Sequence, residues 1–263
     1  IINLIVFIIV LTVIVAFHEF GHFLLAKLTG VYVYEYSIGM GPKIWGTKKG
    51  ETEYSIRAIP FGGYCQLAGE DLDEDDAQKV PKNKRLQNKK AWQRFLIMVF
   101  GPVNNFILAV VILLLVALIW GGTTMNPVIT EVEAGSAAEK AGLRANDTIL
   151  KINNHKISTS DDISLYLAVA DPKKNTKFEI QTEAGTYATI KVKPTKITED
   201  GKDTYRYGIA MQQEKTKGFI EAIQYVFKKT GSIFKQMFVT VSYLFTGVAS
   251  YLSSFHLVFI LDS

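Results

Sequence analysis

The sequence predicts a mixed fold: a multi-span α-helical membrane protein with a strand hairpin in its first loop and a β-rich insert after its second span. Three observations predict it. Ile1 to Ala16 is apolar except for Asn3 and Thr12, and the run continues to Lys27. A second apolar run extends from Trp92 to Trp120. The stretches between and after these runs are polar, and in places alternate with β-branched and aromatic residues. The mean hydropathy of +0.16 averages over this segregation.

Each element follows in order. Crossing a hydrocarbon core of ~30 Å takes ~20 apolar residues in a helix. Segments 1–27 and 92–120 meet that length, and the second has tryptophan at both ends, as interfacial anchors require. Core helices of soluble proteins are usually shorter. The loop 28–91 carries Lys79, Lys82, Lys84, Arg85, Lys89 and Lys90 beside the second span, followed by Arg94 and with no acidic residue among them. Positive charge next to a span marks the cytoplasmic side. The first helix is therefore expected to run inward and the second outward, with residues 121 to about 211 outside the cytoplasm.

Within the first loop, Val31–Tyr36 and Glu53–Ile59 read as strands of the hairpin. Gly39-Met40-Gly41-Pro42 and Pro60-Phe61-Gly62-Gly63-Tyr64 read as turns. The acidic run Glu70–Asp76 reads as a solvated linker. From Val128 to Pro194 the pattern is that of a small β-rich domain, with strands at 128–132 and 148–153 and helices at 136–141 and 158–168. Gly218–Val248 is amphipathic, with Ile220, Ile223, Val226 and Phe227 on one face. It reads as a helix on the membrane surface, with packing on the β-rich domain or a third span as alternatives.

Composition excludes several classes. The net charge is +4 and the pI near 8.9, but the basic residues form no stripe interleaved with aromatics, so no nucleic-acid partner is expected. Cys65 is the single cysteine, which rules out an intrachain disulfide and a Cys-based zinc site. The first apolar run leads straight into His18-Glu19-Phe20-Gly21-His22, which a cleaved signal peptide would not carry. The chain opens on Ile1 rather than Met, so a few preceding residues are expected.

That pentapeptide carries the chemistry. Residues four apart share a helix face, so His18 and His22 can bind one ion, with Glu19 flanking them. Zinc at such a site activates water and polarises a carbonyl. A neighbouring carboxylate takes the proton and passes it to the leaving amine. The motif occurs by chance in many proteins, but rarely inside an apolar span. Charged residues near a bilayer centre cost on the order of 2.5–3.5 kcal/mol each on insertion scales, so three ionisable groups in five residues call for a function.

The segment Gly135-Ser136-Ala137-Ala138-Glu139-Lys140-Ala141-Gly142-Leu143, followed by Asn146-Asp147 and the strand Thr148–Asn153, resembles a PDZ domain. Ala137 stands for the pattern's usual proline and Asn146 for its usual glycine. The chain as a whole resembles the site-2 protease family of intramembrane zinc metalloproteases, in its bacterial branch with a PDZ insert. His18–Phe23, Tyr36–Ile44, Tyr54–Tyr64 and Gly101-Pro102-Val103-Asn104-Asn105-Phe106 carry that resemblance. It implies Zn2+ as cofactor, His18 and His22 as ligands and Glu19 as catalytic base. It implies that Gly101-Pro102 loosens the second helix and that Asn105 meets substrate, an interhelical hydrogen bond being the alternative role. The hairpin becomes membrane-associated and offers an edge strand to an unwound substrate.

The resemblance also implies partners and place. The partners are transmembrane protein substrates such as anti-sigma factors or signal-peptide remnants, the lipid bilayer, and a peptide or protein ligand at the PDZ domain (125–212, with a trailing strand). The place is the bacterial plasma membrane, multi-pass, with the PDZ domain outside as a filter for trimmed substrates. The amphipathic helix spans 217–250 and the atypical end 251–263. The family's third ligand is an Asp in an Asn-x-x-Pro-x-Pro-x-Leu-Asp-Gly segment. Here the end reads Leu261-Asp262-Ser263, so Asp262 is read as coincidental and the chain as truncated. His155 and His256 are read as non-catalytic, and Glu35 is not nominated as a ligand. The competing reading is a PDZ-bearing membrane binding protein, or a protease fragment, that lacks turnover.

Overall fold

The computed structural model describes residues 1–70, 80–199 and 202–246. The end with His256 and Asp262, and most of the acidic run, lie outside the described residues. The chain divides into two units, 1–112 and 113–263.

In the first unit, α1 covers Ile2–Leu28, and α2, Ala91–Trp120, begins there and continues into the second. Both are long and apolar enough to cross a membrane, and most of their large apolar side chains lie on the protein surface. An apolar helix whose large side chains lie mostly on the protein surface suits a lipid environment. Where α1 and α2 cross, two glycines permit close approach. A Cβ on Gly21 would overlap the Phe100 carbonyl oxygen and stand 3.0 Å from Asn104 Cβ. Asn104 completes the crossing by donating its Nδ2 to the Phe17 carbonyl. Pro102 lies inside α2 and has no N–H, which deprives the Met98 carbonyl of its helical donor.

The first-loop strands are longer than the sequence suggested. β1 is Val33–Lys49 and β2 is Thr52–Leu67, so both presumed turns lie inside strands. The register explains this. Tyr36 pairs with both Tyr54 and Cys65, and Ile38 with both Ile56 and Gly63, while Trp45 pairs with Ile56 and Lys49 with Thr52. Each long strand bends back and serves as two. The order across the sheet is 43–49, 52–57, 33–40, 59–67, with the last segment at an edge. Gly39 and Gly41, both at positive φ, make the bend in β1. Thr12 Oγ1 donates to the Pro60 carbonyl and Tyr36 Oη to the Ala16 carbonyl at 2.8 Å, so the sheet is tied to α1 at the depth of the histidine motif.

Glu35 has a structural task here. Its carboxylate accepts from Ser55, from Arg57 at 2.8 and 2.9 Å and from Tyr64 at 2.7 Å, drawing together the two segments that flank its own. Burial alone would raise its pKa, but the hydrogen bonds from Ser55, Tyr64 and Arg57 outweigh that and hold it below the usual carboxylate range. Glu35 is thus occupied, and not free to bind a metal.

The second unit is β-rich. Its core gathers Ile129, Leu143, Ile149, Ile152, Ile163, Leu167, Phe178, Ile180 and Val192. The main sheet has the order β6-β5-β7-β8, with β5 Thr148–Ile152, β6 His155–Lys156, β7 Thr176–Gln181 and β8 Tyr187–Val192. The β3–β12 pair (Gly122–Thr123 with Lys215–Thr216) and the β4–β11 pair (Glu131–Val132 with Ile209–Ala210) bring the start and end of the unit together. The helix α3, Ala137–Ala141, is capped by Ser136 and ends at Gly142 in the left-handed region. Asn146, where the sequence pattern has glycine, is also left-handed at φ 69°. The helix α4, Ser160–Ala168, opens on a capping box of Thr159 and Asp162. The hairpin of β9, Thr195–Glu199, and β10, Lys202–Arg206, was not anticipated.

The helix α5, Phe219–Thr246, packs on this unit rather than standing apart. Lys229 and Ser232 bind Asp161, and Lys235 binds Asp162 at 2.9 Å and lies over the Tyr166 ring. Its Ala222 and Val226 pack with Ala117 of α2. Phe219, Ile220, Phe227, Phe238 and Phe245 remain exposed. His155 stacks on Tyr166 at 4.4 Å, a packing contact of β6.

Candidate metal centre

The site starts from one turn of α1. His18 and His22 stand a turn apart, and their Nε2 atoms lie 3.2 Å from each other. The rings meet edge to face, with centroids 4.9 Å apart. Their outer nitrogens have separate partners on α2. His22 Nδ1 is 2.7 Å from the Ile97 carbonyl, and His18 Nδ1 is 3.4 Å from Asn105 Nδ2. Such partners set ring orientation and tautomer at metal-binding histidines.

The pair fits a zinc ion. Zinc–imidazole distances of about 2.0–2.1 Å at a tetrahedral angle place two nitrogens about 3.3 Å apart. The observed 3.2 Å is close to that. Gly101 of α2 lies against the pair, and a Cβ there would overlap His22 Nε2 and stand 2.9 Å from His18 Nε2. Among the described residues, no group of three His, Cys, Asp or Glu side chains is set to hold one ion.

Glu19 lies beside this pair and accepts a backbone hydrogen bond from Cys65 on the edge segment of β2. One carboxylate thus touches both the metal-facing turn of α1 and the strand edge. The Cys65 thiol is pushed up to about 12, by burial first and then by Glu19 and Glu70, and stays protonated. Burial, followed by Cys65 and Glu19, also pushes Tyr36 up to about 12, which keeps it a donor to Ala16.

Of the residues singled out from sequence, the structure brings His18, Glu19, His22 and Asn105 together. It divides the Asn104–Asn105 pair. Asn104 bonds the Phe17 carbonyl of α1, and Asn105 makes an interhelical contact of its own, with Nδ2 3.4 Å from His18 Nδ1. The Ile97 carbonyl and the Cys65 N–H were not found from sequence, because a backbone group leaves no trace in residue identity. Gly101 was visible as a motif glycine, but its position against both imidazoles was not.

The sequence profile of peptidase family M50 matches residues 6–262. A Clostridium acetobutylicum relative is 36% identical over 94% of this chain and 70% of its own length. This chain belongs to peptidase family M50, the site-2 protease family. The regulator of sigma-W protease RasP of Bacillus subtilis is 28% identical over 93% of this chain and 75% of its own. The zinc metalloprotease Rip1 of Mycobacterium tuberculosis is 30% identical over 62% of this chain and 45% of its own. The family is one of membrane-integral zinc metalloproteases. The chain spans 66%, 70% and 75% of the length of three such relatives.

Proposed function

We propose that the protein is an intramembrane zinc endopeptidase that cuts transmembrane segments in regulated intramembrane proteolysis, anti-sigma factors and signal-peptide remnants being the substrate classes. The observation that carries this is the pair of Nε2 atoms 3.2 Å apart on a helix of membrane-spanning length. His18 and His22 would hold the ion, and zinc would supply Lewis acidity towards water and the scissile carbonyl. Glu19 takes the proton of the attacking water and returns it to the leaving amine. Its hydrogen bond from Cys65 N–H fixes it beside the edge segment 59–67. A substrate helix has its amides in internal bonds and must unwind before attack. Adding the unwound stretch to this edge replaces those bonds with strand pairing and lays the peptide beside Glu19.

The β-rich unit is read as a PDZ domain on the extracytoplasmic face, admitting substrates already trimmed there. The basic run before α2 supports this orientation. A reporter inserted at the Gly185 turn should behave as extracytoplasmic and one after Asp76 as cytoplasmic. The reverse pattern would refute the orientation and the filter with it.

Metal analysis tests the site itself. The purified, detergent-solubilised protein should contain zinc, less of it in His18→Ala or His22→Ala, and almost none in the double variant. Equal zinc in wild type and the double variant would sink the assignment. Asp262→Asn in the same assay decides whether that carboxylate is the third ligand. Zinc unaffected by it, with no cleavage by wild type, would favour the reading as a binding protein or fragment.

A further inference from the structure

The two histidines belong to a longer hydrogen-bonded chain whose polarity can be worked out from one end. Ile97 offers a carbonyl, which only accepts, so His22 Nδ1 carries the proton in the 2.7 Å contact. His22 Nε2 is then a lone pair, and in the 3.2 Å contact His18 Nε2 must be the donor. His18 Nδ1 is therefore also a lone pair, and it accepts from the Asn105 amide nitrogen. The chain runs Asn105 to His18 to His22 to Ile97 with every donor facing an acceptor. One atom is left over: Asn105 Oδ1 is buried and has no partner.

This polarity cannot survive metal binding. An ion shared by the two rings needs the lone pairs of both Nε2 atoms. His18, keeping one proton, must carry it on Nδ1 instead. That N–H would then point at the NH2 of Asn105, donor against donor. The amide oxygen and nitrogen are nearly the same size, and a half-turn about the last side-chain bond exchanges them. In either orientation the far atom of the amide is unpartnered, so the tautomer of His18 decides between them.

We propose that Asn105 is the positioning residue of His18. Its amide turns with the tautomer, so that Oδ1 receives the Nδ1–H and holds Nε2 towards the metal. The inference rests on the zinc reading of His18 and His22, and it replaces the direct substrate contact that family resemblance implies for Asn105. His22 needs no such device, because the Ile97 carbonyl accepts in both states.

The test is chelator competition for zinc with the full chain in detergent, alongside cleavage kinetics. Asn105→Asp presents acceptors in any orientation and should bind zinc at least as tightly as wild type. Asn105→Leu should bind about 10–100-fold more weakly, the usual effect of losing such a supporting bond. In a His18→Ala background the Leu substitution should add nothing. Zinc affinity unchanged in the Leu variant, with only KM altered, would overturn the inference in favour of substrate contact. Should the Leu variant fail to fold, zinc binding by Asn105→Asp that is weaker than wild type would overturn it as well. Zinc bound by wild type independently of His18 and His22 would overturn the metal reading and this inference together, and that result is distinct from the other two.

Discussion

Glu19→Gln should reduce cleavage of a transmembrane substrate by about 10²–10⁴-fold, the usual contribution of a general base, and leave the bound zinc in place. The substitution suits the question. Gln keeps the length of the side chain and an oxygen that can still accept from Cys65 N–H, so the strand edge stays tied to α1. It removes only the capacity to take a proton. A water that is positioned but not deprotonated attacks slowly, and the leaving amine receives no proton from this side. The measurement is the initial rate on a model substrate in micelles or proteoliposomes, with zinc content determined on the same preparation. Wild-type cleavage by the Gln variant would remove Glu19 from the mechanism. Loss of zinc as well as activity would mean that Glu19 is a ligand rather than a base.

The parts of the fold legible in the sequence were those fixed by run length and local chemistry. Two apolar runs gave α1 and α2 because crossing a bilayer sets a minimum length. The spacing of His18 and His22 placed them on one face because a helix repeats every 3.6 residues. What escaped was whatever depends on partners distant in sequence. Gly39 to Pro42 and Pro60 to Tyr64 have the composition of turns, and they do bend the chain. Each bend, however, folds one strand against two neighbours, as the double pairing of Tyr36 and Ile38 shows. No period-2 pattern announces that. Asn104 and Asn105 are adjacent in sequence but about 100° apart around a helix. Which of them faces Phe17 and which faces His18 depends on the rotation of α2, set by the glycine contacts of Gly21 and Gly101. The third-ligand question was open from sequence for a different reason: Asp262 has the right chemistry but not the surrounding motif.

Gly101→Ala should abolish or nearly abolish zinc binding, although it adds a single methyl and favours the helix. In α2, replacing Gly by Ala favours helical backbone by about 1 kcal/mol, so destabilisation of the helix cannot account for a loss. The methyl enters the space between the two imidazoles. It would overlap His22 Nε2 and lie 2.9 Å from His18 Nε2, where the lone pairs converge. Either the rings turn aside, breaking the Ile97 and Asn105 contacts, or α2 moves away from α1. Both outcomes spoil a two-nitrogen site whose separation already suits tetrahedral zinc. Loss of a supporting contact alone costs about 10–100-fold in metal affinity, and displacement of the ligands themselves should equal or exceed the upper end of that range. Gly231→Ala in α5 is the matched control, since a Cβ there meets nothing within 4 Å; it should keep full zinc and activity. Chelator competition on wild type and the two variants decides the matter. Wild-type zinc affinity in Gly101→Ala would show that the ion does not sit in the gap between His18 and His22 facing α2, and the proposed centre would have to be placed elsewhere.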